Sequence, residues 1–165
     1  VKITPAVQTF TLPNHPDGYP DLTVLKLVDA QTVSYDANTL CQVKLTAGNI
    51  YRKIGLFFRS EAENVVTPLN DFTGNFEIVF NQADIPYSIS ADALRYRNAQ
   101  QYSGALASGV YAFDFASGQG LPNLAGTRDY IDTERITEFW LRFTPKSAGK
   151  LTIVSEKLAR LTVNN

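Results

Sequence analysis

The sequence predicts an all-β protein, an eight-stranded antiparallel jelly-roll sandwich with one short helix at about residues 91–101. Three observations predict this fold. Eight short apolar or alternating runs recur along the chain, separated by turn-forming residues. Only one segment has helical character, so helices and strands do not alternate as they do around a parallel sheet. Eight is also the number of strands in a jelly roll.

The predicted strands are short, apart from the last, and lie near residues 22–29, 40–47, 50–59, 75–81, 85–89, 110–115, 136–144 and 150–163. Gly48-Asn49 is typical of a tight turn, which predicts a hairpin between the second and third strands. The break from Thr144 to Gly149 indicates another hairpin between the last two strands. Pro86 favours an edge position or a strand end for the fifth strand, because proline cannot donate to the ladder.

The last predicted strand is unusually long, and the rest of the fold must supply a large sheet for it. It is apolar at both ends, whereas Ser155, Lys157 and Ala159 lie between on the same parity. Two interpretations follow. Either its middle is polar or small on that face, or a bulge near residues 155–158 swaps its faces.

The helix prediction rests on its first turn and on its composition. Ser90 is a typical N-cap, Asp92 lies in the first turn, and residues 91–101 contain no glycine, proline or β-branched residue. Leu94, Asn98 and Gln101 share one side of this helix. In the strands, alternation predicts a core of nine apolar residues: Leu45, Ile54, Leu56, Phe76, Ile78, Phe113, Phe139, Leu141 and Ile153.

With 165 residues, 44% of them hydrophobic, the chain is long enough for one domain with a sizeable core. Residues 22–165 are predicted to form this single jelly-roll domain. Residues 1–21 are predicted to be an N-terminal arm and loop, because Pro5 and three further prolines oppose regular pairing. We expect the arm to reach outward or along the side of the barrel, where exchanged arms can tie neighbouring subunits together.

Composition argues against several classes of function. The net charge is -1, with 15 basic and 16 acidic residues, so the cationic surplus that nucleic-acid binding requires is missing. No window reaches the ~18 apolar residues of a membrane-spanning helix, and no charged-then-apolar leader opens the chain. A soluble protein without a secretion signal is therefore expected. Gly118-Gln119-Gly120 is followed by Leu-Pro, which cannot open a phosphate-binding helix.

Candidate catalytic and metal-binding side chains are few. Cys41 is the only cysteine and is expected to be a small buried side chain, without a disulfide or a thiolate cluster. His15 is the only histidine, and it lies in a proline-rich loop beside Asp17 and Asp21, where a solvated position is expected. We predict no catalytic, cofactor-binding or metal-binding residue, no cofactor, and a protein that is not an enzyme.

Two alternatives remain open from the residues alone. Five late carboxylates could support two-carboxylate glycoside hydrolysis or form a solvated rim: Asp114, Asp129, Asp132, Glu134 and Glu138. Five aromatic residues could form a carbohydrate platform or pack against the helix, the loops or a neighbouring subunit: Tyr51, Phe57, Tyr87, Tyr111 and Trp140.

Two loops are longer than an ordinary connection of ~4 to 6 residues, at residues 60–73 and 116–135. Charged residues interleave there with valine, leucine and tyrosine. Such a mixture suits an interface with an apolar centre and a charged rim, so both loops are predicted to serve assembly.

A resemblance covers roughly residues 75–163. Its elements are a short helix after NFEIVFNQADIPYSIS, a small-residue lead into the aromatic strand GVYAFDF, and a final strand with the pattern L-x-I-x-x-E-x-L-x-x-L-x-V. In these the chain resembles the C-terminal part of the jelly-roll major capsid proteins of tailless icosahedral viruses with an internal membrane, the adenovirus-like lineage, which includes bacteriophages. With one set of eight strands, it is similar to the single-barrel branch rather than to the double-barrel members.

The resemblance implies a viral structural protein, a capsid subunit of the virion that is made in the host cytoplasm. It implies assembly into an icosahedral shell as a dimer or trimer capsomer, together with a second capsid protein, and it leaves open contact with an internal viral membrane. No catalytic residue carries over. The alternatives from the residues are a carbohydrate-binding, lectin-like jelly-roll module and a small glycan-active enzyme.

Overall fold

The computed structural model describes residues 24–60, 71–115 and 130–160. These residues form nine strands and one helix: β1 (Val24–Tyr35), β2 (Cys41–Leu45), β3 (Ile50–Ser60), β4 (Phe72–Phe80), β5 (Asp84–Ser90), α1 (Ala91–Gln101), β6 (Val110–Asp114), β7 (Ile131–Asp132), β8 (Phe139–Pro145) and β9 (Gly149–Arg160). The predicted arm and loop at 1–21 lie outside the described residues, as does most of each long loop.

The strands form two antiparallel sheets. One has the order β1-β9-β3-β6, with the two-residue β7 beside β3, and the other has the order β2-β8-β4-β5. Apart from β4 and β5, which pair with each other, and the short β7, consecutive strands alternate between the sheets. This is the jelly-roll sandwich that the sequence predicts, and all eight predicted strands are present.

Both predicted hairpins are wrong. β2 pairs with β8 whereas β3 pairs with β9 and β6, so the Gly48 turn carries the chain from one sheet to the other. β8 and β9 likewise lie in different sheets. Gly48-Asn49 does reverse the chain, and Gly48 has a φ of 82°. In a sandwich, however, a reversing chain can join the facing sheet as readily as its own.

The bulge lies in β3 rather than in β9. The β3–β9 register shifts between Tyr51 and Lys53, so Arg52 is the extra residue. Before the bulge Tyr51 points inward, and after it Ile54 and every second residue do so. β9 therefore keeps its faces, and Ser155 and Lys157 both lie buried on the inner side. β1 continues to Tyr35, beyond its predicted end, because it pairs with β9 along its whole length.

The nine predicted core residues are all buried between the sheets. An aromatic cluster centres on Phe58. The centroid of its ring lies 4.7 Å from the ring centroid of Phe72, 5.2 Å from that of Phe143, 5.6 Å from that of Phe76 and 5.8 Å from that of Tyr111. Most of these pairs are edge-to-face, the arrangement that aromatic rings favour. The cluster joins residues of both sheets into one core.

The helix is confirmed at Ala91–Gln101. The hydroxyl of Ser90 accepts a hydrogen bond from the backbone N–H of Ala93 at 3.2 Å, as an N-cap does. Leu94 and Asn98 are buried on its inner side. Among the described residues, no helix is long and apolar enough to cross a bilayer.

Candidate functional site: two contrasting sides of the sandwich

The side of the sandwich formed by β5 and β6 is closed by α1. β6 is the edge strand of its sheet, and the Asn98 side chain binds both backbone groups of Ala112 on that edge. Asn98 Nδ2 donates to the Ala112 carbonyl at 2.7 Å, and the Ala112 N–H donates to Asn98 Oδ1 at 2.9 Å. The amide thus takes the place of a further strand, and no partner strand is needed there. We call this the sealed side.

A polar network extends the sealed side. The Tyr102 hydroxyl donates to Asp114 Oδ2 at 2.8 Å, and Lys53 Nζ lies 3.1 Å from the same oxygen. Burial, together with the hydrogen bond to Asp114, raises the pKa of Tyr102. Asp114 is buried and held by these groups, so its role is structural.

The opposite side, formed by the edge strands β1 and β2, is open. Within the described ranges, β1 pairs only with β9 and β2 only with β8. Residues 26–32 of β1 are all exposed, and they include two large apolar side chains, Leu27 at 44% and Val28 at 65% exposure. One side-chain hydrogen bond crosses between the sheets here, from Gln31 Nε2 to the Lys44 carbonyl at 3.3 Å. We call this the open side.

A shallow groove of about 200 Å³ crosses the outer face of the β1-β9-β3-β6 sheet. The strand register places Ala30, Val154, Gly55 and Ala112 in one row across the sheet. Val154 pairs with Ala30 and Gly55, and Gly55 also pairs with Ala112. The ring of Phe57 lies so close to Gly55 that a Cβ there would come within 3.2 Å of it. The groove reaches the open side at Val28 and the sealed side at Tyr102.

Lys157 points inward on the open side, on the parity that one interpretation of the last strand predicts, and only 6% of the residue is exposed. Its Nζ lies 2.8 Å from Asp29 Oδ2 and 5.1 Å from the centroid of the Tyr51 ring. Asp29 keeps 56% of its side chain exposed, so the ion pair opens to solvent. Burial raises the pKa of Tyr51, whose hydroxyl donates to the Thr46 carbonyl at 2.7 Å. The adjoining polar pocket of about 10 Å³ has room for roughly one water.

The five aromatic residues do not form a carbohydrate platform. Tyr51 and Tyr111 are fully buried. Phe57 and Trp140 are half-buried on the outer faces of different sheets, and Lys44 Nζ lies 5.5 Å from the Trp140 ring. Tyr87 packs against Phe115 with ring centroids 5.3 Å apart. The lectin-like alternative is not supported.

The late carboxylates serve local structure where they are described. Asp132 accepts a hydrogen bond from the Glu134 N–H at 2.9 Å, and Glu138 accepts one from Trp140 Nε1 at 3.4 Å. Asp129 lies outside the described residues, as do His15, Asp17 and Asp21. Across ranges 24–60, 71–115 and 130–160, no group of three or more histidine, cysteine or acidic side chains could hold a metal ion.

Cys41 is half-buried rather than fully buried, at the edge of the core. Burial, with the charge of Asp36, raises the pKa of its thiol. A raised pKa leaves less thiolate at neutral pH, so the side chain is suited to packing rather than to nucleophilic chemistry.

The sequence assigns no role to Asn98 or Lys157, the two residues that distinguish the sides. It groups Asn98 with Leu94 on one side of the helix, and a buried amide there is a signal that it must satisfy backbone groups. The inward parity of Lys157, one of the two interpretations of the last strand, is confirmed, but the bulge at Arg52 that sets Tyr51 opposite Lys157 involves the pairing of two distant segments.

Solved structures resemble this chain over most of its length. The major capsid protein of Sulfolobus Turreted Icosahedral Virus matches with a TM-score of 0.66 and 16% identity, over 88% of this chain and 44% of that one. The major capsid protein P2 from bacteriophage PM2 matches with a TM-score of 0.56 and 18% identity, over 81% and 52%. The chain has the fold of these capsid proteins.

A third similar structure is the capsid of the virus PBCV-1, with a TM-score of 0.60 and 9% identity over 82% of this chain and 47% of that one. The chain thus spans about half the length of the capsid proteins that it matches. No protein-family model matches the sequence, and no curated protein does.

Proposed function

We propose that the chain is a structural subunit of an icosahedral virus capsid, made in the host cytoplasm and carried in the virion. The observation that supports this best is the overall fold, a sandwich of two antiparallel sheets that three viral capsid proteins match with TM-scores of 0.66, 0.56 and 0.60. The described polar clusters agree with a structural role, because their members form hydrogen bonds and ion pairs within the chain. We propose further that the chain is not an enzyme.

The finer parts of the proposal concern partners. The subunit associates with itself as a dimer or trimer capsomer and with a second capsid protein, and contact of one face with an internal viral membrane stays an open alternative. The N-terminal arm, residues 1–21, and the two long loops contribute to these contacts. Mixed charged and apolar residues at a rim set partner choice and association rate, so association weakens as salt rises while the barrel stays folded.

Electron microscopy of the source material with the protein immunolabelled tests the proposal. Label on icosahedral particles is the expected result. Sedimentation of the purified full chain at low and high salt supplies the second test, with concentration-dependent association expected. A monomer at every concentration that is retained on a glycan column would replace the capsid proposal with the lectin-like one.

A further inference from the structure

The small polar pocket beside Lys157 lies between the two sheets on the open side. Its volume of about 10 Å³ is close to the space that one water molecule needs. Most of its lining residues belong to the sheet that contains β9, whereas Leu45, the last residue of β2, and the adjacent Thr46 line it from the facing sheet. A molecule in this pocket therefore contacts both sheets.

Lys157 brings more hydrogen-bond donors to the pocket than its ion pair uses. The ammonium group carries three N–H groups, and Asp29 Oδ2 accepts from it at 2.8 Å. Across the described residues, Asp29 is the one acceptor within hydrogen-bond distance of this nitrogen. The Tyr51 ring attracts the cation from 5.1 Å but does not replace an oxygen acceptor. Because a buried ammonium is costly unless its N–H groups are bonded, we expect a further acceptor in the pocket.

Ser155 supplies a second polar group with bonding capacity to spare. It lies two residues before Lys157 on the inner face of β9, and only 5% of the residue is exposed. Its hydroxyl can both donate and accept, and the described part of the chain gives that hydroxyl no hydrogen-bond partner. Ser155 and Lys157 both line the pocket, so one small molecule can bond to the two side chains together.

We propose that this pocket holds one structural water that joins β9 to the facing sheet. The water accepts a hydrogen bond from Lys157 Nζ and forms a second with the Ser155 hydroxyl. Its third bond goes to Thr46, whose carbonyl accepts from the Tyr51 hydroxyl at 2.7 Å and keeps a second lone pair. Three hydrogen bonds are typical of a buried water. The inference is independent of the proposed capsid role.

The charges around the pocket favour water over an ion. Lys157 and Asp29 compensate each other, so the pocket offers no net charge to a third group. A halide would be repelled by Asp29, and an alkali cation would be repelled by Lys157. Asp29 also keeps 56% of its side chain exposed, which gives water a short route to the pocket from bulk solvent.

A crystal structure of the full chain, at a resolution that shows ordered waters, tests the inference. We expect a single density peak within hydrogen-bond distance of Lys157 Nζ and the Ser155 hydroxyl. Crystals soaked in bromide or in rubidium should show no anomalous signal there. Ser155→Val fills the pocket and should remove the peak. The matched control is Thr152→Val, which removes a hydroxyl that bonds to Thr32 elsewhere on the same strand and should leave the peak unchanged.

Ser155→Ala serves as a second variant that adds no atoms to the pocket, and it should weaken the same peak. An anomalous peak at the site would overturn the water in favour of a bound ion. A parent structure without density at the site, with Lys157 Nζ bonded to a second protein acceptor, would overturn the site itself. A peak of equal strength in the parent and in both Ser155 variants would overturn the bonding assigned to this serine.

Discussion

The two sides of this sandwich differ in how the unpaired backbone groups of their edge strands are satisfied. On the sealed side, one asparagine satisfies both edge groups of Ala112, and the helix beneath it buries Leu94 in the core. On the open side, a strand more than twice as long as β6 is left without a partner on its outer edge in the described part of the chain.

This difference separates the residues that stabilise the single chain from those that we expect to affect association. Buried, satisfied contacts at the helix stabilise the single chain, because removing them leaves cavities and unpaired groups. The exposed edge of β1 adds little to the single chain and has most to gain from a neighbour. Substitutions on the sealed side should therefore change folding, and substitutions on the outer edge of β1 should change assembly.

The largest effect is expected at Leu94, which is fully buried under α1. Leu94→Ala removes buried methyl groups and leaves a cavity, so the free energy of unfolding should fall by about 2 to 5 kcal/mol. Urea unfolding of the purified chain measures this. Tyr96→Ala on the exposed face of the same helix is the control, and an equal loss there would contradict the assignment of the inner face.

Asn98→Ala comes next and tests the sealing contact itself. The substitution leaves the N–H and the carbonyl of Ala112 without their partner, which should cost about 1 to 3 kcal/mol. Amide exchange at Ala112 should accelerate more than the global loss of stability explains. Unchanged exchange at that amide would mean that water or a neighbouring segment replaces the asparagine.

The sequence predicts interactions between residues that are close along the chain better than pairing between distant segments. Local signals worked, since Ser90 marks the helix start and strand alternation identifies the core. Pairing between distant segments did not follow, because Gly48-Asn49 encodes a reversal but not the sheet that the chain then joins. The local alternation of β9 predicts the inward position of Lys157, but the Tyr51 ring that faces it is set by a bulge in β3, about a hundred residues earlier, which no local pattern contains.

A smaller effect is expected at the ion pair of Lys157 and Asp29. Asp29→Ala removes the carboxylate that pairs with the buried Lys157 cation, and should cost about 1 to 3 kcal/mol. Lys157→Met removes the cation and keeps most of the side-chain volume, so the cost should stay within about 1 kcal/mol. Chemical denaturation compares the two. A larger loss for Lys157→Met would show that the cation itself stabilises the fold.

The smallest effect at neutral pH is expected for two buried tyrosines, one at each side, which alkaline titration compares. Burial, with the nearby charge of Asp71, raises the pKa of Tyr35 to about 12, and burial also raises the pKa of Tyr111. Both phenols must stay neutral in the fold. The stability that the neutral phenols contribute is complete below about pH 10, the pKa of tyrosine in the unfolded chain, and is lost as the pH rises towards 12.

Tyr111→Phe gives the sharper test of this pH dependence, because the buried Tyr111 hydroxyl has no hydrogen-bond partner in the described part of the chain. The variant should match or slightly exceed the parent at neutral pH and should lose less stability between pH 10 and 12. Thermal unfolding across that range measures it. Greater alkaline sensitivity in the variant would contradict the assignment.

Hydrogen exchange at two protein concentrations tests the central contrast most directly. In dilute full-length protein, the outward-facing amides of β1 should exchange fast, whereas that of Ala112 should be protected by Asn98. At concentrations where the chain associates, protection should rise in β1 and stay constant at β6 and α1. Equal protection of β1 at both concentrations, or a rise confined to α1, would contradict the account.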